Sequence, residues 1–238
     1  MRTSKIKIIG SGSSGNCIAI YNNIGEYILL DVGLPYEDIM KALNHELDKC
    51  VCVLVSHNHK DHSKSLDKFI KYGVHCFAND DVCNNHAGCS SLRNVREIGG
   101  FRIQTFGLKH NVENNAFIVD SDGLRYLYVT DTIFVPKIVR NVNYAIIEAN
   151  YDEDYIIDNA VNDSFSQSMH YNHQSLDRCC EYLKKIYSKS LNGIILHHLS
   201  DSNICEQKAF NFISSELGFN NVFAAHKDME IKTFRDEF

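Results

Sequence analysis

Val51-Cys52-Val53-Leu54-Val55 runs directly into Ser56-His57-Asn58-His59-Lys60-Asp61-His62. The first five residues are apolar and mostly β-branched, which predicts a buried strand. The residues after it place three imidazoles and a carboxylate within six positions. Imidazole and carboxylate together suit zinc, manganese or iron. Side chains alternate with a period of two in an extended segment, so His57 and His59 fall on one side and can grip one ion. Asp61 and His62 lie just past the turn, placed for a second ion. A polar loop rich in histidine by chance is the bland reading. The strand context that the motif's mechanism needs argues against it.

The chain around this motif is of ordinary globular composition. It has 238 residues, 44% hydrophobic and 23% charged, enough for one large domain with a full core. A net charge of −6 gives no global basic field for nucleic acid. The nine cysteines are odd in number and irregularly spaced, with no CxxC pair. That favours reduced thiols in a cytoplasmic setting over a disulfide framework. The start of the chain lacks a signal-peptide core, and no apolar run approaches a membrane span. Two prolines and the absence of a low-complexity linker predict a single domain over 1–238. Oligomeric state is not legible.

Residues 5–9 alternate and predict a first strand. Gly10-Ser11-Gly12-Ser13-Ser14-Gly15-Asn16 then matches G-x-G-x-x-G, with Asp31 downstream. A dinucleotide fold needs a helix opening at those glycines. Here β-like segments at 17–21 and 26–30 follow, separated by a turn, so no helix fits. A P-loop fails too, because Asn16 and Cys17 stand where Lys and Ser/Thr belong. The loop reads as a small-residue turn with Ser14 and Asn16 as candidate ligand contacts; a plain turn explains it equally well. Apolar spacing predicts helices over 36–47, 65–72, 80–86, 153–160 and 206–217, and Asn172-His173-Gln174-Ser175 leads into another that runs through Tyr187. Asn79 or Asp80 is the expected N-cap of the third, and Gly218 the residue closing the last. Ile39, Met40, Leu43 and Leu47 mark the inner face of the first; Phe210, Ile213 and Leu217 mark that of the last. Strands are expected at 74–78, 93–98, 101–108, 116–119, 124–130, 144–147, 194–196, 221–225 and 229–232. Ser121-Asp122-Gly123 reads as a hairpin turn, and 162–171 as an irregular polar loop.

HxHxDH after a buried strand resembles the signature of the metallo-β-lactamase superfamily. The resemblance, with the order of elements, implies an α/β fold: a four-layer αββα metallo-β-lactamase sandwich. It implies that Asp31, in Asp31-Val32-Gly33, braces the metal site. It implies that His110 and Asp131, at two predicted strand ends, are the third histidine and the bridging aspartate. The ligand set it implies is His57, His59 and His110 for one ion, and Asp61, His62 and His198 for a second, with Asp131 between them. His198 is preferred to its neighbour His197, a soft choice. The cofactors are then two divalent ions, zinc or manganese, with iron also possible. They would hold a metal-bound hydroxide that Asp61 orients or deprotonates.

Gly10 to Asn16, Glu148-Ala149-Asn150-Tyr151-Asp152 and His198-Leu199-Ser200-Asp201-Ser202-Asn203 resemble the YycJ-type branch over nearly the whole chain. That likeness implies a metal-dependent exonuclease acting on DNA from the 5′ end, with DNA or a small phosphodiester as partner and no membrane. It brings in His173 as a second catalytic candidate, and Asn150 and Ser175 as substrate contacts. The branch's Gly-His-Leu-Ser-Asn is here Asn172-His173-Gln174-Ser175-Leu176, and Ser63-Lys64-Ser65 follows the metal motif. Both departures bear on substrate preference and neither removes a ligand. Tyr151, Tyr155 and Tyr171 are candidates for stacking on bases. The competing functions are a small-molecule metallohydrolase acting on a cyclic nucleotide, lactone or thioester, and a non-catalytic metal- or nucleotide-binding protein.

Overall fold

A computed structural model describes residues 4–158, 171–200 and 202–234. The chain divides into two compact units, one of residues 1–105, 117–124 and 226–238, the other of 106–116 and 125–225.

In the first unit the strands are β1 (Lys5–Gly10), β2 (Cys17–Tyr21), β3 (Tyr27–Leu30), β4 (Cys50–Leu54), β5 (Cys76–Ala78), β6 (Ser90–Ser91) and β14 (Glu230–Lys232). They form a seven-stranded sheet in the order β14-β1-β2-β3-β4-β5-β6. Its antiparallel part is β14 to β3, and from β3 onward neighbours are parallel. The parallel part is joined by helices: α1 (Tyr36–Ala42), α2 (Lys60–Ser63), α3 (Leu66–Lys71) and α4 (Asp80–Asn85). Ile39, Met40, Leu66, Phe69 and Val82 from those helices bury against Leu29, Val53 and Val55. Asn79 caps α4 by accepting from Val82 N, as its position predicts.

The second seven-stranded sheet takes the order β13-β12-β11-β10-β9-β8-β7. Its strands are β7 (Arg96–Ile98), β8 (Phe101–Leu108), β9 (Asn114–Ser121), β10 (Leu124–Val129), β11 (Tyr144–Glu148), β12 (Gly193–His197) and β13 (Val222–Ala224). Asp122 and Gly123 take φ of 53° and 74°, the left-handed pair that a tight hairpin between β9 and β10 requires. In the second unit β10 to β13 pair in parallel. Every residue of β11 and β12 is buried, as a parallel strand covered on both faces should be. The helices there are α5 (Glu153–Asp158), α6 (Leu176–Ile186) and α7 (Glu206–Leu217).

Three expectations need correction. The first helix stops at Ala42 rather than 47, because Asn44 and His45 adopt φ of 53° and 59°. The chain turns there, and Leu47 reaches the same core from a separate 3-10 turn, Leu47–Lys49. On α7 the buried residues are Ala209 and Ile213, with Phe210 and Leu217 half-buried. Tyr151 is fully buried and bridged to Ser175, so it has no face for a base. The expected helix end at Ala160, residues 162–170 of the polar loop and Asp201 lie outside the described residues. Among the described residues no disulfide joins any cysteine, and no helix is long and apolar enough to cross a membrane.

Candidate metal centre

In the first unit β4 delivers its motif at the strand's C-terminal end, and α2 begins at Lys60 with His59 as its N-cap residue. His57 and His59 come together, Nε2 to Nδ1 at 3.0 Å. The His62 ring packs 4.2 Å from that of His57, and its Nε2 lies 3.4 Å from Asp61 Oδ2. Asp31, just past β3, braces the group from beneath. Its Oδ1 accepts from Ser56 N at 2.7 Å; its Oδ2 accepts from Ser56 Oγ at 2.9 Å and faces His62 Nδ1 at 2.7 Å. The carboxylate fixes the ring's orientation, the usual arrangement around a metal-binding histidine.

The backbone beneath this loop is clamped. Asn16 N donates to Asp61 O at 2.7 Å, Gly33 N to Asn16 O at 2.9 Å and Val32 N to His62 O at 2.8 Å. Asn16 is fully buried, its amide spent on Gly12 and on His62 Nε2 at 3.0 Å. The Gly10–Asn16 loop thus supports the motif from behind, and Ser14 stands exposed on it.

The second unit gathers another set at its strand ends. His110 follows β8, Asp131 lies just past β10, Glu148 closes β11 and His198 follows β12. Ligand atoms of Asp131, Glu148, His173 and His198 all lie within 4.8 Å of one another, close enough to hold a cation. His110 Nδ1 donates to Asn172 O at 2.9 Å, which turns Nε2 toward Asp131 Oδ2 at 4.0 Å. Thr132 Oγ1 bonds both Lys109 N and Lys109 O at 3.2 Å, tying the Asp131 turn to the strand end that carries His110. Asn114 Nδ2 holds the carbonyls of Thr130 and Asp131 at 2.9 and 2.7 Å.

Glu148 is the hub of this set, and sequence reasoning missed it. Its Oε1 faces His173 Nδ1 at 2.6 Å and His198 Nδ1 at 3.2 Å; its Oε2 accepts from Thr132 N at 2.9 Å and Gln174 N at 3.3 Å. With both oxygens so engaged, it serves as a brace. Burial pushes its carboxyl up, but the charge and hydrogen bonds of His173 and His198 outweigh that and hold it below the usual range. Burial pushes His173 down, and the Glu148 charge and bond again win, raising it. The available signal was a carboxylate ending an otherwise apolar strand.

His197 and His198 are now distinct. His197 sits inside β12, fully buried, donating from Nε2 to Val129 O at 2.9 Å and stacked on Tyr128. Burial and its neighbour His198 push it down to about 4, so it is a neutral core residue. His198 takes φ 53° beyond the strand and turns to Asp131 and Glu148. Asn150 Nδ2 holds His198 O at 3.0 Å and lies 3.1 Å from its Nδ1. Ser175 is buried and caps α6, its Oγ accepting from Arg178 N at 3.4 Å.

No family model matches the chain. A curated relative, the exodeoxyribonuclease YycJ of Bacillus anthracis, is 24% identical over 169 residues. The match covers 63% of this chain and 64% of that protein, under two thirds of the relative's length. Among solved structures, the metallo-β-lactamase fold protein YhfI of Bacillus subtilis matches with a TM-score of 0.76 at 15% identity, over 97% of this chain and 100% of that one. The chain has the metallo-β-lactamase fold. Zinc-bound PqqB of Methylobacterium extorquens also matches, with a TM-score of 0.75 at 12% identity over 96% and 100% of the two chains. The short form of human tRNase Z matches at 0.66 and 13%, over 96% and 98%. The expected fold class therefore holds, and the comparisons agree with the YycJ-type resemblance in the sequence.

Proposed function

We propose that this metallo-β-lactamase-fold chain is a dinuclear metal-dependent hydrolase that cleaves phosphodiesters, acting as an exonuclease on DNA from the 5′ end. The observation that carries the reading is the donor set. Buried or half-buried imidazoles and carboxylates cluster at strand ends in each unit, each braced by a buried carboxylate, Asp31 in one and Glu148 in the other. Such N/O donors fit zinc or manganese. In this reading His57, His59 and His110 hold one ion, Asp61, His62 and His198 a second, and Asp131 serves both. Bound ions would acidify water and neutralise charge on the reacting phosphate. The chain's own groups do the rest. Asp61 orients the attacking water and takes its proton. His173, whose protonated form the Glu148 carboxylate favours, contacts a phosphate oxygen or protonates the leaving oxygen. Asn150 holds His198 in place.

The names of the YycJ relative and of tRNase Z support a nucleic-acid substrate. The nine cysteines, odd in number and irregularly spaced, support a reducing, cytoplasmic setting. The net charge of −6 supports the second reading, a small phosphodiester cleaved at the same centre. Metal-stripped protein reloaded with manganese or zinc, given 5′-phosphorylated single- and double-stranded DNA, tests the choice. Loss of nucleotides from the 5′ end is the expected result. Hydrolysis of bis(p-nitrophenyl) phosphate without DNA cleavage would favour the second reading.

A further inference from the structure

We infer that the face of the second unit formed by α6 and residues 133–142 is the track for single-stranded DNA leading away from the scissile phosphate. The inference rests on the phosphodiesterase reading above. A cleft of about 310 Å³ opens there, lined among others by Ile133, Phe134, Gln174, Arg178, Glu181 and Lys185. Its inner wall is continuous with the candidate centre. Gln174 follows His173 and bonds Glu148 twice, through its backbone N and through Nε2 at 3.1 Å. Ile133 follows Thr132, whose N also bonds Glu148.

The outer rim has the chemistry of a strand-binding groove. Phe134, which lines the cleft, is 51% exposed three residues after Asp131. Large aromatic rings left in water beside a hydrolytic centre are stacking platforms for bases. Arg178 and Lys185 are two turns apart on α6, so they project from one face about 10 Å apart along the axis. Arg178 spends one nitrogen on Ile133 O at 3.3 Å, which aims its guanidinium along the cleft. Glu181 offsets one of these two charges, leaving the cleft's lining with one net positive charge in a chain that is net acidic. A small diester would need neither the exposed ring nor the spaced cations.

The test compares R178Q/K185Q and F134A with the unaltered, metal-loaded protein. Its readouts are kcat/KM for a 5′-phosphorylated single-stranded oligonucleotide and for bis(p-nitrophenyl) phosphate. Each variant should cost the oligonucleotide on the order of 10-fold more than the small diester. The charge variant should also flatten the salt dependence by roughly 0.7 per cation removed. Equal effects on both substrates would overturn the track while leaving the hydrolase intact. Affinity of the metal-loaded protein for a phosphorothioate oligonucleotide of the same sequence, with and without the groove substitutions, tests the track without turnover. No binding, or binding indifferent to them, overturns it; hydrolysis of neither substrate by the unaltered protein overturns the phosphodiesterase reading instead.

A separate observation lies in the first unit. Cys83 on α4 and Cys89, six residues on, place their sulfurs 3.2 Å apart, and both are half-buried. Between them His86 bonds Asn58 of the metal motif at 3.2 Å and Asp67 at 2.8 Å. We propose that this pair is a reversible dithiol–disulfide that fixes the loop carrying His86. With oxidised glutathione as oxidant, each thiol gives up one proton and one electron, one S–S bond forms, and the glutathione disulfide is reduced to two thiols. Incubation with oxidised glutathione, then alkylation in denaturant and peptide mapping, should show Cys83 and Cys89 alone protected and linked, with Tm raised and both effects reversed by dithiothreitol. Continued alkylation of both, or their linkage to other cysteines, would overturn it.

Discussion

Gly33 shows how closely the metal motif is held. A Cβ there would lie 1.6 Å from the Asp61 carbonyl oxygen and 2.8 Å from His62 N, both backbone atoms that cannot swing aside. Gly33→Ala must push the motif off its support, at a cost of about 2–4 kcal/mol. At this chain length that lowers Tm by roughly 2–4 °C per kcal/mol, which scanning calorimetry reads directly. An unchanged Tm would mean the two segments are not in contact. Asp31→Asn keeps the shape but removes the charge facing His62 Nδ1 and Ser56. Metal affinity should fall about 10- to 100-fold, and isothermal titration showing no change would remove Asp31 from the centre. His173→Ala should slow phosphodiester cleavage on the order of 100-fold with metal content intact; lost metal would make it a ligand. The residues that sequence exposed were those packed into one short motif, His57 to His62. Glu148 was hidden because its partners His173 and His198 stand 25 and 50 positions away. Asn16 looks like a substrate contact in sequence because nothing local shows that its backbone meets Asp61, 45 positions on.

At the scale of elements, the site is built where strands stop. Asp31, Asp131 and His198 each leave a strand end in the left-handed region, with φ of 58°, 47° and 53°. Such backbone costs about 1–3 kcal/mol in a residue other than glycine. The bonds around Ser56, Asn114 and Asn150 hold each of these turns. Strands were legible because apolar runs and turn residues mark them, and β2, β8 and α7 have the bounds expected. Helix α1 was over-extended because its apolar spacing continues to Leu47 while the chain turns at Asn44 and His45. Spacing alone does not report that turn. Ser175, which caps α6, carries a prediction at this scale. Ser175→Ala should cost about 1 kcal/mol, toward the lower end because the cap bond is 3.4 Å long. A Tm drop of roughly 2–4 °C should follow with metal content unchanged.

For the whole molecule, the proposed ligand set ties stability to bound metal. Binding that favours the folded chain stabilises it by mass action, about 2.7 kcal/mol at a metal concentration 100 times Kd. Chelation should therefore lower Tm, and zinc or manganese should restore it. The same metal should restore turnover, because the proposed chemistry and the added stability share one set of ligands. The most direct measurement is the metal content and DNA cleavage of purified, metal-reloaded protein beside Asp61→Ala and Asp131→Ala, one substitution in each unit. Two divalent ions per chain are expected in the unaltered protein, fewer in Asp61→Ala and in Asp131→Ala, and cleavage lost in both variants with folding retained. Full metal content and turnover in either variant would contradict the proposed centre.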